Sequence, residues 1–389
     1  MLYLLWLLLP VAALSGWWVA ARRSSARNYG RRATDFSSDY FEGLNYLLNE
    51  QPDKAIEVFI RMVEVDSETV DTHFALGNLF RRRGEVDRAI RIHQNLIARP
   101  TLSREQRTQA LFELGADYMR AGVFDRAESL FIELIEMNAH VVPALRHLVD
   151  IYQQEKDWDK AIAAARRLES ATGKSMDTVI AQYYCELAEH AKQEGDAGRA
   201  QHTIKRALMC DHNCVRASIL QGDLEAEAGD YKAAIRAYRR VGEQDIEYLP
   251  EVIDPLRECY QRIGNVSAMI DYLKQVLTQY NGISPMLALA DLIRREQGDQ
   301  EAAAFITDQL RRRPSVRGLD RLIELNLAHS EGAARDNMLI LRDLISKLLG
   351  DKPIYKCSHC GFTGKSLHWQ CPSCKFWNTV KPIQGVEGE

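Results

Sequence analysis

Small and apolar residues recur along this chain with a period longer than any single helix or strand supplies. Ala55, Ala89, Ala127, Ala161, Ala200, Ala234 and Ala303 follow one another in order, with Met269 filling the one vacant place. The successive steps are 34, 38, 34, 39, 34, 35 and 34 residues. Twelve positions before the alanine lies a small residue: Gly43, Gly77, Gly115, Ala188 or Gly222. Five before it lies a glycine: Gly84, Gly122, Gly195, Gly229, Gly264 or Gly298. Four after it lies a large residue: Phe59, Phe131, Ile204, Tyr238 or Leu273. Tyr46, Phe80, Tyr118, Tyr152 and Tyr260 fill a further aromatic slot on the first half of each unit. The pattern predicts pairs of antiparallel helices. Two helices approach closely only where side chains are small, and large residues fill the space beside that contact. The glycine ends the first helix because the turn there needs a left-handed conformation.

The array spans residues 36–315 in about eight units. The two long steps imply short insertions near 103–107 and 172–178. The fourth and seventh units carry Val149 and Arg257 in the small-residue slot, and the eighth is weakly marked. A further helix pair is expected near 318–328 and 334–349, filling a capping segment over 316–350. Its second member, containing MLILRDLISKLL, is amphipathic and fits either a cap or a docking helix.

Leu111, Leu114, Gly115 and Tyr118, followed by Ala127 and Phe131, resemble the tetratricopeptide repeat, whose unit is 34 residues long. The resemblance implies an all-α superhelical solenoid in which the first helix of each unit lines a concave groove. In that register Asn78, Arg82, Phe112, Arg120, Arg146 and Gln182 point into the groove. Such a polar, basic and aromatic lining suits an extended acidic or amphipathic segment of a partner.

Residues 1–20 contain no charge and read as one continuous apolar run. Twenty residues of helix span about 30 Å, the thickness of a bilayer core. Arg22, Arg23, Arg27, Arg31 and Arg32 follow the run, in a basic linker over 21–35. A cleaved signal peptide carries its basic residues in front. The order therefore predicts a retained single-pass anchor with the bulk of the chain in the cytoplasm.

Composition narrows the function further. The formal net charge is −4, without the basic excess that marks a nucleic-acid partner. Of eight cysteines, Cys185, Cys210, Cys214 and Cys259 are scattered over the repeats and form no disulfide framework, which suits a reducing compartment. Nothing in the sequence matches a phosphate-binding loop, a zinc-protease helix or a nucleophile elbow, so no enzyme is expected.

The other four cysteines lie within residues 351–389, as Cys357-x2-Cys360-x10-Cys371-x2-Cys374. Each C-x2-C pair turns two thiolates toward one ion, and two pairs complete a tetrahedral shell for iron or zinc. Four protein ligands close that shell, which favours a structural role over hydrolysis. Gly361 after the first pair and Pro372 inside the second resemble rubredoxin and zinc-ribbon knuckles, with Lys375 in place of the second glycine. His359 and His368 are read as packing residues, since four thiolates suffice.

The order of these parts resembles the lipopolysaccharide assembly protein B family of Gram-negative bacteria. The resemblance implies an inner-membrane adaptor that restrains lipopolysaccharide synthesis. Its implied partners are the membrane-anchored AAA+ protease FtsH and the deacetylase that commits precursor to lipid A, which the protease degrades. An inner-membrane regulator that senses lipopolysaccharide, and other lipopolysaccharide assembly proteins, complete the implied set. Two other classes remain open: a scaffold for the biosynthetic enzymes, and a redox or metal-sensing protein.

Overall fold

The computed structural model describes residues 41–46, 48–49, 51–65, 70–350 and 352–389. The apolar segment 1–20 and the basic linker 21–35 lie outside the described residues. No described helix is long and apolar enough to cross a membrane. The chain divides into two compact units after Thr172.

In the first unit, residues 41–46 are helical and precede α1 (Pro52–Val65). Three helix pairs follow: α2 (Val70–Arg83) with α3 (Val86–Ile97), α4 (Arg104–Ala121) with α5 (Phe124–Glu136), and α6 (Val141–Glu155) with α7 (Trp158–Thr172). Ala55, Ala89, Ala127 and Ala161 are all completely buried, as are Phe59 and Phe131 four residues further on. A methyl group on Gly115 would come within 2.8 Å of the Phe131 ring, so only glycine lets α4 and α5 approach this closely. The fourth pair trades volume across the same contact: Val149 fills the small slot, and fully buried Ala165 stands where other pairs place a large residue.

The first long step is taken up ahead of α4. Ser103 caps this helix, accepting a hydrogen bond from the Gln106 N–H, while the Gln106 side chain accepts one from the Ser103 N–H. The turn in the fourth pair is closed by Lys156, not by glycine, at φ 59 and ψ 26. A side chain in this left-handed conformation costs about 1 kcal/mol or more. Lys156→Gly should therefore raise stability by about 1 kcal/mol, read as a higher denaturant midpoint with an unchanged slope.

The second unit continues the pairs. They are α8 (Asp177–Gln193) with α9 (Ala197–Cys210), α10 (Val215–Glu227) with α11 (Tyr231–Gln244), α12 (Pro250–Arg262) with α13 (Val266–Gln279), and α14 (Ile283–Gln297) with α15 (Asp299–Arg312). A 3-10 turn (Ile246–Tyr248) precedes α12. Ala200 and Ala234 are completely buried and Met269 nearly so. Arg257, in the small slot of the seventh unit, forms ion pairs with Asp254 at 2.8 Å and Asp291 at 3.6 Å.

The eighth unit corrects the ladder by one residue. Ala302 is completely buried and Ala303 only half-buried. The cause is Gly298, whose φ of 100 and ψ of 176 end α14 and open α15 at a single residue. Elsewhere, as after left-handed Gly122, one more residue (Val123) separates the helices. With the register moved by one, Ala290 enters the small slot at 1% exposure and Ile306 the large slot at 0%. The weakly marked unit is a regular one with a shorter turn.

Beyond the repeats lie α16 (Val316–Leu327), α17 (Gly332–Gly350) and a small three-stranded antiparallel sheet. Its strands are β1 (Tyr355–Cys357), β2 (Thr363–Gly364) and β3 (Val380–Pro382), in the order β2-β1-β3. Tyr355 pairs with Gly364 on one side and Pro382 on the other.

Candidate metal centre and repeat-face surface

The two cysteine pairs sit in matching turns. The Cys357 N–H donates to Phe362 O at 2.7 Å, and the Cys371 N–H donates to Phe376 O at 2.9 Å. Gly361 and Lys375 close the turns at φ 79 and φ 62, so the lysine adopts the conformation its glycine counterpart reaches without strain. The four sulfurs lie within 4.8 Å of one another. Cys357 and Cys374 are 3.8 Å apart, and Cys360 and Cys371 3.6 Å. A tetrahedral shell with metal–sulfur bonds of about 2.3 Å has edges of about 3.8 Å, so the donor set fits one tetrahedral ion.

The electrostatics agree. Burial opposes ionisation of Cys357. A hydrogen bond with the Thr379 hydroxyl and the N–H groups of Cys360 and His359 outweigh it and bring the thiol down to about 6. The Phe362 N–H lowers Cys360 as well. Burial and the three neighbouring sulfurs push Cys374 up to about 12. Four thiolates this close need a cation between them. The histidines stand aside: His359 stacks on Phe376 with ring centroids 4.0 Å apart, and His368 lies near Ser366 and Phe362. Cys210, in the C-x3-C of the repeats, faces Asp177, and Cys214 faces Cys185 at 3.8 Å.

The ribbon is seated on the repeats of its own compact unit. Trp369 and Leu367 pack on the core around Tyr248, Leu249 and Leu256. Trp369 stacks on Tyr248, with centroids 5.4 Å apart, and Trp377 meets Tyr183 edge-on at 5.9 Å. Arg216 of α10, only 3% exposed, lies 5.9 Å from the Trp369 ring and 6.0 Å from that of Trp377. Its guanidinium donates to Glu186 and Glu189 at 2.8 Å each. Tyr355 donates to Glu251 at 2.8 Å, Tyr248 donates to Val380 O at 3.0 Å, and Lys381 bridges Asp245 and Glu247. Burial first, and then the Glu251 carboxylate, push the Tyr355 phenol up, so it stays a donor at neutral pH.

The six residues expected to line a groove separate into different surroundings. Arg82, Arg120 and Arg146, on α2, α4 and α6, are exposed and have no ion-pair partner among the described residues. Arg82 and Arg120 hold equivalent places, each five residues after the small-slot glycine. Asn78 accepts a hydrogen bond from Arg81, which also binds Glu113 at 2.6 Å and Asp117 at 2.9 Å. His93, completely buried, donates to the other Asp117 oxygen at 2.5 Å. Phe112 is half-buried against His140 and His147. Gln182 is 1% exposed and donates to Cys214 Sγ at 3.6 Å, so it offers nothing to a partner.

Sequence reasoning did not reach Arg216, Tyr183 or Tyr248. The available signal was the pair Trp369 and Trp377: two large aromatics in a segment too small to bury them call for a second surface.

Residues 355–382 match the rubredoxin metal binding domain family, and residues 72–107, 112–175 and 185–245 match tetratricopeptide repeat families. Lipopolysaccharide assembly protein B of Escherichia coli K12 is 41% identical over 389 residues, covering all of both chains. Its namesake from Haemophilus influenzae Rd is 34% identical over 397 residues, again covering both completely. Among solved structures, Naa15/Naa10 bound to HypK-THB matches 82% of this chain and 52% of that one, at 11% identity and a TM-score of 0.40, a likeness too loose to carry an argument. The full-length relatives, the repeats and the four-cysteine ribbon converge: the chain belongs to the lipopolysaccharide assembly protein B family.

Proposed function

We propose that this chain is an adaptor of lipopolysaccharide assembly, held at the bacterial inner membrane by residues 1–20, with its repeats and ribbon on the cytoplasmic side. Its task is to bring the deacetylase of the lipid A pathway to the membrane-anchored AAA+ protease FtsH. The lipopolysaccharide-sensing regulator opposes it at the membrane. No chemistry is asked of the adaptor. Confining substrate and protease to one thin layer raises their effective concentration, and encounters follow. The metal, iron or zinc, holds the ribbon's fold.

The observation that carries this reading is the surface of α2, α4 and α6, where Arg82, Arg120 and Arg146 stand exposed without ion-pair partners among the described residues. Three unpaired guanidinium groups on successive first helices suit an acidic segment of a protein substrate. Reversing all three to glutamate should prolong the lifetime of the deacetylase in cells at least severalfold while the repeat array keeps its helicity. A scaffold that only gathers biosynthetic enzymes predicts unchanged turnover in the same pulse-chase measurement.

A further inference from the structure

Helix α17 holds to the rest of the chain by one narrow stripe. Met338, Ile345 and Leu349 pack against Val316, Ile323 and Leu327. On its other side Ile340, Leu341, Leu344 and Leu348 are between 51% and 60% exposed. Together these side chains form an apolar strip on the order of 400 Å², the size of the largest apolar patch on a typical monomer, which is often functional. The last element of a repeat array normally turns a polar face outward to stay soluble. This one turns out the kind of face that each internal second helix hands to the next pair.

We propose that a second copy of this chain covers that face, with α17 packed antiparallel on α17 about a twofold axis. Leu341, Leu344 and Leu348 are spaced three and four residues apart, the spacing of knobs in a two-helix seam. A twofold contact needs one patch that complements itself, which a row of identical leucines does. Face to face, two such strips bury on the order of 800 Å², the low end of specific contacts, which a weak dimer occupies. The charges agree with the antiparallel sense. At 100° per residue, Asp336 near one end and Lys347 near the other fall on the same flank of the leucine row. An antiparallel partner therefore meets unlike charges at both ends. A lipid surface is the poorer occupant: the flank beside the leucines is mixed, Asp336 and Asp343 with Lys347 ion-paired to Asp343 at 2.6 Å, without the lysine and arginine excess of a helix lying on anionic lipid.

The test uses the full chain in membranes, expressed as two differently tagged copies. One tag should recover the other after mild detergent extraction. Leu344→Glu in both copies should cut that recovery at least tenfold without altering the helical signal or the melting curve. Leu344→Lys in one copy against Leu344→Glu in the other should restore it, which only direct contact between the two helices achieves. The proposal is overturned if recovery survives Leu344→Glu in both copies, or if the Lys–Glu combination fails to restore it. It is likewise overturned if a photo-crosslinker at position 341 traps lipid or a different protein in place of the second copy.

Discussion

Stripping the metal with a chelator, or replacing Cys371 by serine, should unfold residues 355–382 and leave the repeat helices standing. The ribbon's own core is minimal: Cys357, Cys371 and Val380 are its fully buried members, and two of these three are ligands. Its strands are two or three residues long. Such a segment cannot offset its own ordering entropy by apolar burial. A structural four-thiolate site contributes on the order of 10 kcal/mol of binding free energy, comparable to the whole stability of a small domain. Cys371 is the most informative ligand to remove because it is completely buried, so serine leaves a hydroxyl that water cannot reach. Hydrogen exchange of residues 355–382 should rise to the unprotected rate, and emission from Trp369 and Trp377 should shift to the red. Helical circular dichroism should fall by little. A metal-free protein that kept the ribbon protected would show that docking alone folds it.

The second large effect concerns the docking itself. Arg216→Ala should loosen the ribbon from α8 and α10 while the ribbon still holds its metal. The arginine is nearly buried, its fork satisfies Glu186 and Glu189, and both ribbon tryptophans lie over it. Removing one side of a buried ion pair leaves the other without compensation, at a cost of about 3–5 kcal/mol. Glu186 and Glu189 are 27% and 36% exposed, so water takes up part of that loss and the lower end, about 3 kcal/mol, is expected. Arg216→Lys should rescue little, because a point charge cannot reach two carboxylates and stack beneath two rings at once. Limited proteolysis between α17 and β1, with metal content measured on the same sample, separates this outcome from unfolding of the ribbon. Unchanged protease resistance would mean that the tyrosine and lysine contacts hold the ribbon without Arg216.

These two effects mark where the sequence could be read and where it could not. The alanine ladder is local: each rung depends on a helix pair within one unit, and Ala55 to Met269 fall where the period puts them. The four thiolates are local too, since each pair lies in one turn. The ladder slipped at Ala303 because Gly298 carries both helix ends, and a change in ψ leaves no trace in the spacing of small residues. The seat of the ribbon was hidden for a different reason. Tyr183 and Trp377 are far apart along the chain, and no periodicity connects them. Gln182, which a single repeat register places in the groove, is buried beside Cys214 at the start of the following repeat helix. Arg82, Arg120 and Arg146, which the same register places in the groove, are exposed on their own helices.

The central claim is that the exposed first helices of the early repeats hold the deacetylase for degradation. A photo-crosslinking residue in place of Arg120, in the full chain within intact membranes, tests it most directly. Mass spectrometry of the trapped protein should identify the deacetylase, and the adduct should accumulate when the protease is inactive. Trapping only other biosynthetic enzymes, or an adduct indifferent to the protease, would contradict the claim and favour a scaffold.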